Sequence, residues 1–173
     1  MRVLFFIGVL FFAPAVFAQM KVSSTFSSNE FIPKRYTGEG EDLSPYLKIE
    51  NIPAGVKALV IIMDDPDAPT PTPWVHWVVY NIPVRGKEVI LQEGYGTSSR
   101  TLSDGAYQGL NSWGTVGYRG PYPPRGDNPH RYFIKVYGVE KVLPSTLKTK
   151  DEVEKALKGS VKEKAELVGR YRR

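Results

Sequence analysis

The stretch that decides the fold is ALVIIMDDPDAP, residues 58–69. Its first six residues, Ala58 to Met63, are all apolar and together have the length of one β-strand. A strand that is apolar on both faces belongs in the middle of a sheet that is covered on both sides. The sequence therefore predicts a β-sheet with this segment at its centre and acidic residues at the end of the central strand.

The segments Trp77 to Ile82 and Arg131 to Val139 predict two further strands. A histidine opens each run, and these residues, His76 and His130, are the only 2 histidines of the chain. Ionisable groups beside buried strands are costly without partners. We therefore interpret these strand ends as parts of one polar pocket, although a histidine at a strand entry also has a purely structural interpretation.

The acidic motif Asp65-Pro66-Asp67 follows the central strand directly. Proline favours extended geometry in the residue before it, and residues i and i+2 of an extended segment project to the same side. The two carboxylates are therefore predicted to converge, while an ordinary turn with solvated carboxylates is the alternative. By the same two-residue period, His130 and Tyr132 share a face.

A long glycine- and proline-rich stretch, residues 94–125, is predicted to be irregular, and loops of that length are usually functional. Its last part runs through Gly117 to Pro129 directly into His130. Glycines let backbone amides approach a ligand, and successive amides can bind an anion. Plain turn chemistry is the alternative interpretation.

The C-terminal part predicts two short helices. Thr149 to Glu152 is a capping-box pattern before apolar residues, and Gly159 marks a break. Ser160 to Glu163 repeats the capping pattern before Ala165, Leu167 and Val168.

The N-terminal residues 1–18 resemble an export signal, with Arg2, an apolar stretch and small residues before a cleavage point after Ala18. We expect a single domain over residues 19–173 in the periplasm or outside the cell; an uncleaved membrane anchor is the alternative. The chain has 0 cysteines, which excludes disulfides and cysteine nucleophiles. The formal net charge is +5, and no nucleic-acid-binding motif accompanies it, so no nucleic-acid partner is predicted.

Several segments in order resemble the phosphatidylethanolamine-binding protein (PEBP) family, in particular its prokaryotic Raf kinase inhibitor-like branch. They are Ile32 to Thr37, Asp42 to Pro45, Asp65 to Pro69, His76-Trp77, Gly117 to Pro124 and His130 to Tyr132. The resemblance implies a mainly β fold with a large antiparallel sheet, a smaller second sheet and peripheral C-terminal helices. It also implies a pocket for anions and phosphoethanolamine-type groups formed by Asp65, Asp67, His76, Gly120, Pro121, His130 and Tyr132. Tyr122 stands where many prokaryotic members have cysteine, so the pocket rim is expected to differ.

We therefore predict a non-enzymatic binding protein without metal or cofactor, whose ligand is a small phosphorylated or anionic group such as a phospholipid head group. Two arrangements reconcile carboxylates with a phosphate: a ligand ammonium faces Asp65 and Asp67, or each aspartate charges a histidine that then binds the anion. The output is predicted to be regulation or inhibition of an unidentified protein partner, and homodimer formation stays open. The alternatives are a metal-assisted hydrolase and a protease inhibitor acting through a surface loop.

Overall fold

The structure, a computed structural model, describes residues 18–173; the predicted export signal lies almost entirely outside these residues. Within them the chain forms eight strands, a 3-10 turn and one α-helix. The strands are β1 (Lys21–Ser23), β2 (Leu47–Glu50), β3 (Ala58–Asp65), β4 (Trp74–Pro83), β5 (Glu88–Leu91), β6 (Tyr107–Gln108), β7 (His130–Val139) and β8 (Val161–Tyr171); the 3-10 turn is Lys34–Tyr36 and α1 is Lys150–Leu157.

The strands form two antiparallel sheets. The larger sheet has five strands in the order β6-β4-β3-β7-β8, and the smaller has three in the order β1-β2-β5. All neighbouring strands within the two sheets pair antiparallel. The predicted mainly β fold with a large and a small antiparallel sheet is confirmed.

Strand β3 is the centre of the larger sheet, as its sequence predicts, and all eight of its residues are buried. Because side chains alternate along a strand, Leu59, Ile61 and Met63 pack into the core between the two sheets. Val60 and Ile62 pack into a second core on the opposite face, with α1. The alternation continues into the acidic residues at the end of the strand.

Helix α1 confirms the first of the two predicted helices, including its cap. The Thr149 hydroxyl accepts a hydrogen bond from the Glu152 backbone N–H at 3.2 Å, and the Glu152 carboxylate accepts one from the Thr149 N–H at 3.2 Å. Val153 and Leu157 are the buried residues of this helix. They cover the face of the larger sheet that is remote from the smaller one.

The second predicted helix is wrong: Val161–Tyr171 is strand β8, which pairs with β7 along its length. Leu167, Gly169 and Tyr171 are buried at a spacing of two, which is the period of a strand. The capping pattern at Ser160 to Glu163 is only a local preference. Hydrogen bonding to the edge of β7 outweighs this preference. Such tertiary pairing is not described by the helix propensity of the segment.

The long stretch 94–125 is irregular as predicted, with β6 as its one regular element. Within residues 18–173, no helix has the length and apolar character needed to cross a bilayer.

Candidate ligand-binding site

The candidate site lies where β3 ends and β4 and β7 begin. In an antiparallel sheet the end of one strand lies beside the starts of its neighbours. Asp65 is the last residue of β3, His76 lies near the start of β4, and His130 is the first residue of β7. Tyr132 follows two residues later on the same face. The topology therefore brings these four predicted residues together at one end of the inner strands of the sheet.

A cavity of about 270 Å³ opens at these strand ends. This volume is small compared with the pockets that hold drug-sized ligands. A second depression, of about 390 Å³ near the start of α1, contains neither histidine. The smaller cavity, which we call the strand-end pocket, is lined by Asp65, Ala68, Pro69, Thr70, Trp74, His76, Trp113, Tyr122, Pro123, Pro124, His130 and Tyr132.

His130 lies between two carboxylates. Its Nδ1 atom is 2.7 Å from Asp65 Oδ2, and its Nε2 atom is 3.2 Å from Asp127 Oδ2. Burial lowers the pKa of His130, but the hydrogen bonds and negative charges of Asp65 and Asp127 outweigh it, so the pKa is raised. An acceptor at each nitrogen favours the imidazolium form, which donates in both directions.

The Asp65 carboxylate is nearly buried and is shared between two donors. Besides His130, it accepts the backbone N–H of Asp67 at 2.8 Å. Burial raises the pKa of Asp65, and the hydrogen bond and charge of His130 oppose this shift without reversing it. Asp65 therefore orients His130 and stabilises its charge.

His76 has the opposite electrostatic character. Its Nδ1 atom lies 2.6 Å from the Arg119 carbonyl oxygen, and the Arg119 N–H in turn donates to the His76 carbonyl at 3.0 Å. Burial lowers the pKa of His76 to about 4. The ring is thus neutral at pH 7, with Nδ1–H donating to Arg119 and a lone pair left on Nε2.

Tyr132 lines the pocket, and its buried hydroxyl has no partner in the described part of the chain. The residue is fully buried, its ring centroid is 5.1 Å from that of His76, and its hydroxyl has no hydrogen-bond partner among the described residues. Burial raises the pKa of this hydroxyl, so it keeps its proton. A buried hydroxyl without a partner costs free energy, which a ligand acceptor would recover.

Asp67 is paired with Arg131 and does not line the strand-end pocket, in which it was predicted. Its carboxylate accepts from the Arg131 guanidinium at 2.8 and 2.9 Å and from the Arg131 backbone N–H at 2.9 Å. The hydrogen bond from Arg131 lowers the pKa of Asp67. The Asp67 N–H donates to Asp65 Oδ1 at 2.8 Å, a bond from residue i+2 to the side chain of residue i that forms a turn at the end of β3. Asp67 therefore stabilises the start of β7 through its hydrogen bonds with Arg131, outside the strand-end pocket.

Gly120 and Pro121 lie behind the pocket wall and do not line it. The Gly120 N–H donates to Asp42 Oδ1 at 2.6 Å, and the Pro121 carbonyl accepts from the Gly38 N–H at 3.0 Å. A Cβ atom on Gly120 would lie 2.2 Å from the Tyr36 carbonyl oxygen. These two residues anchor the loop that carries Tyr122, Pro123 and Pro124 to the rim.

Sequence reasoning missed the aromatic wall and the second carboxylate of His130. Trp74 and Trp113 have perpendicular rings with centroids 5.3 Å apart, and they come from β4 and from the irregular stretch. The scarcity of tryptophan, 3 in the chain, was the only signal for them. Asp127 lies three residues before His130, a spacing that places it within reach of the ring. Among residues 18–173, no group of three or more His, Asp or Glu side chains has an arrangement suited to a metal ion.

Comparison with known proteins identifies the family. The sequence model of the family described as phosphatidylethanolamine-binding protein matches residues 22–172. This chain belongs to that family. The PEBP match covers α1, every residue of the strand-end pocket and both sheets except Lys21 at the start of β1.

Relatives of this PEBP chain occur in archaea and bacteria. It is 46% identical over 159 residues to a UPF0098 protein of Pyrococcus horikoshii, covering 89% of this chain and 77% of the relative. It is 44% identical over 154 residues to a UPF0098 protein of Aquifex aeolicus, covering 87% of this chain and 86% of the relative.

Solved structures agree with the PEBP fold. The E. coli protein YbcL, described as a member of the mammalian PEBP family, has a TM-score of 0.80 at 32% identity and covers 90% of this chain and 99% of its own. A PEBP homologue from Chlamydia trachomatis has a TM-score of 0.78 at 35% identity and covers 90% and 98%. A carboxypeptidase Y inhibitor in complex with its proteinase, at 18% identity and a TM-score of 0.51, shares the fold alone.

Proposed function

We propose that this protein is a non-enzymatic binding protein whose strand-end pocket holds a small phosphorylated or otherwise anionic ligand, such as a phospholipid head group. Family membership supports a binding role. The observation that carries the proposal is that one small cavity is lined by both His130, whose charged form is favoured by two carboxylates, and Tyr132, whose buried hydroxyl has no partner among the described residues. An anion would supply the acceptor that the Tyr132 hydroxyl lacks, and it would compete with Asp127 for the Nε2–H of His130.

The geometry favours one of the two arrangements considered from sequence. Asp65 is engaged by His130 and Asp67 by Arg131, so neither carboxylate is free to receive an ammonium group. Asp65 instead acts through His130, whose charge it supports. His76, with its pKa lowered to about 4, offers an acceptor and not a second cation.

Anion binding requires a change at Asp127. Its carboxylate approaches Nε2 of His130 at the longer distance of 3.2 Å, and its side chain is 43% exposed. An incoming phosphate oxygen would replace it on Nε2, and the released carboxylate would be hydrated by solvent. The Nδ1 bond to the buried Asp65 stays in place, so the ring keeps its orientation and charge.

Export and a regulatory output are further parts of the proposal. The pattern of residues 1–18 supports export, which cell fractionation and N-terminal sequencing of the mature protein would test. Ligand binding would then control or inhibit a protein partner in that compartment. Affinity capture with the wild-type protein and a His130→Ala variant would identify partners that depend on the pocket.

Two-dimensional NMR of the imidazole nitrogens tests the ligand proposal, because the chain has only 2 histidines and an untagged protein therefore gives two ring systems. Phosphoethanolamine is titrated into wild type, Asp65→Asn and a control, Lys158→Ala, whose exposed side chain is remote from the pocket. We expect saturable shifts of both rings in wild type and the control and much weaker binding in Asp65→Asn. Unchanged ring signals at millimolar ligand would overturn the proposal.

A further inference from the structure

The two edges of the larger sheet differ in how they are covered. At the β6 edge, the chain just before the strand folds over it: Thr101 forms a bridge with Tyr107, and the Gln108 N–H donates to the Arg100 carbonyl at 2.9 Å. At the opposite edge, β8 pairs with β7 on one side only. An uncovered strand edge presents backbone donors and acceptors that another strand can bind.

Only part of the β8 edge is open. Near the end of the strand, the Asn29 N–H donates to the Val168 carbonyl at 2.7 Å, so the chain before the 3-10 turn covers this part. Near the start of the strand, the register with β7 shifts and leaves Lys162 without a partner in β7. A bulge of this kind bends the strand. The open stretch between these two features is residues 163–167.

Lys164 and Glu166 direct their backbone groups outward along the open stretch. The Val168 carbonyl faces away from β7, and the direction of the backbone groups repeats at every second residue of a strand. Among the described residues, the Glu166 N–H and the carbonyls of Lys164 and Glu166 have no hydrogen-bond partner. The Lys164 N–H has only a bond of 3.3 Å to the carboxylate of the adjacent Glu163. Another strand would satisfy all of these groups.

The side chains of the same two residues carry opposite charges that are also unpaired. Both are exposed, and neither Lys164 nor Glu166 forms a salt bridge in the described part of the chain. The cross-strand neighbour of Glu166 is Lys135, whose ammonium is bound to Asp64 at 2.9 Å. Charges on an edge strand usually prevent pairing with other chains. Here they alternate in sign, so a strand with the complementary order is accepted.

We propose that the open β8 edge binds the same edge of a second copy of this chain, in an antiparallel pairing with its two-fold axis at Ala165. The outward backbone groups of the two strands must lie opposite each other, and this axis places Lys164 opposite Glu166 of the second copy. The symmetry repeats the pair on the other side of the axis. Each pair then exchanges both of its backbone hydrogen bonds and brings an ammonium beside a carboxylate.

The order of charges selects this register over its neighbours. An axis at Lys164 or at Glu166 would place that residue opposite its own copy, and an axis at Glu163 would place Lys164 opposite Lys162. Like charges directly opposite each other destabilise a strand pair. With the axis at Ala165, the residue at the closest approach of the two strands has a small side chain, which suits the short distance of a pair without mutual hydrogen bonds.

The proposed interface leaves the strand-end pocket free. Neither Lys164 nor Glu166 lines that pocket, and His130 pairs with Tyr171 at the far end of β8. The two five-stranded sheets would become one continuous sheet with a pocket exposed on each copy. The inference therefore does not depend on the proposed function of the pocket.

Charge reversal tests the pairing. Sedimentation velocity over a concentration series up to the millimolar range measures the monomer–dimer equilibrium of wild type, Lys164→Glu, Glu166→Lys and the double variant. We expect a concentration-dependent wild-type dimer, weakening of about tenfold or more in each single variant, and recovery in the double variant, whose opposite charges face each other again. Lys87→Glu, an exposed reversal outside β8, is the control and should behave as wild type.

Cysteine cross-linking tests the register, because the chain has 0 cysteines of its own. In the proposed pairing the two Ala165 Cα atoms lie about 4.5 Å apart, within the range of a disulfide. Ala165→Cys should therefore form a covalent dimer under oxidised glutathione. Glu163→Cys is the matched control on the same strand face. Its two copies would lie more than about 13 Å apart, and it should stay monomeric on a reducing-agent-free gel.

The outcomes decide the inference without reference to any ligand. A wild-type protein that is monomeric at every concentration would overturn it. A dimer that ignores both single reversals, or that the double variant does not restore, would place the interface elsewhere and overturn it as well. Cross-linking of Glu163→Cys but not of Ala165→Cys would contradict the register. If Ala165→Cys fails to fold, the charge reversals decide the question alone.

Discussion

The Nδ1 atom of His130 and the Oδ2 atom of Asp65 lie 2.7 Å apart, although 65 residues separate them in the sequence. The pair joins the last residue of β3 to the first residue of β7, and both side chains are 5% exposed. The register of two central strands therefore sets both the orientation and the charge of the pocket histidine. Any change that loosens this strand pairing is expected to weaken ligand binding as well.

The two histidines are expected to titrate on opposite sides of the ordinary histidine pKa of 6.5. His130 should titrate above 6.5 because Asp65 and Asp127 stabilise its charge, and His76 should titrate near 4 because it is buried. NMR titration of the ring protons measures both values. Asp65→Asn should lower the pKa of His130 and leave that of His76 almost unchanged; a His130 pKa that does not respond would contradict the ion pair.

Anion affinity should follow the charge of His130. Below its raised pKa the imidazolium donates to the ligand, and affinity should be lost as the pH rises through that pKa. The stability that His130 gains from its partners is likewise present below pH 6.5 and lost as pH rises through the folded pKa. Dissociation constants of phosphoethanolamine measured from pH 5 to 9 check the first effect, with Asp65→Asn as the comparison.

Acid should destabilise the fold through His76. Its folded pKa of about 4 lies below the ordinary 6.5, so the unfolded chain binds the extra proton first as pH falls from 6.5 to 4. The shift corresponds to roughly 3 kcal/mol of stability lost across this window. Urea unfolding at pH 7 and pH 4.5 measures the loss, and a His76→Gln variant should show a smaller difference between the two pH values. Equal pH dependence in both proteins would argue against a buried neutral His76.

The elements of this fold that could be predicted are those determined by residues close together in the sequence. The central place of β3 and the start of α1 follow from an apolar run and a capping box, which neighbouring residues alone determine. Strand β8 could not be predicted in this way. Its partner β7 lies far away in the sequence, and the first residues of β8 carry a helix-capping pattern. The sequence around β8 therefore could not show that the edge of β7 would be available for pairing.

The candidate site divides in the same way. Asp65, His76, His130 and Tyr132 were predicted from the family resemblance together with the positions of the strand ends, and all four line the pocket. Asp67 was expected in the pocket lining with them, but its carboxylate is paired with Arg131 and it lies outside the lining. The aromatic wall was missed because Trp113 reaches the pocket along an irregular path that no periodicity describes.

Removing the Tyr132 hydroxyl should affect binding without harming the fold. The hydroxyl is buried and has no partner among residues 18–173, so Tyr132→Phe removes an unsatisfied group and leaves the packing of the ring. We expect the free energy of unfolding to stay within about 0.5 kcal/mol of wild type or to rise, and phosphate affinity to fall several-fold. Tyr118→Phe is the contrasting variant, because the Tyr118 hydroxyl donates to the Tyr36 carbonyl at 2.6 Å. That change should destabilise the protein by about 1 kcal/mol or more; the reverse order of stabilities would contradict the assignment.

Adding a single methyl group at Gly120 should destabilise the rim loop. The new Cβ would lie 2.2 Å from the Tyr36 carbonyl oxygen and 2.8 Å from Asp42 Oδ1, so the backbone must move. Gly120→Ala is expected to cost about 1 to 3 kcal/mol and to weaken ligand binding, since the same loop carries Tyr122 to the pocket. Gly86→Ala is the control, because a Cβ there meets nothing within 4 Å. Thermal unfolding of both variants would show whether Gly120 has this anchoring role, and equal stabilities would deny it.

The central claim is that an anionic ligand binds at His130 and Tyr132, and a crystal structure with phosphoethanolamine tests it most directly. We predict a phosphate oxygen within hydrogen-bonding distance of His130 Nε2, another near the Tyr132 hydroxyl, and the Asp127 side chain turned away from the ring. The Asp65–His130 pair should be unchanged. A ligand bound elsewhere, or a strand-end pocket without ligand density at saturating concentration with Asp127 still on His130, would contradict the account.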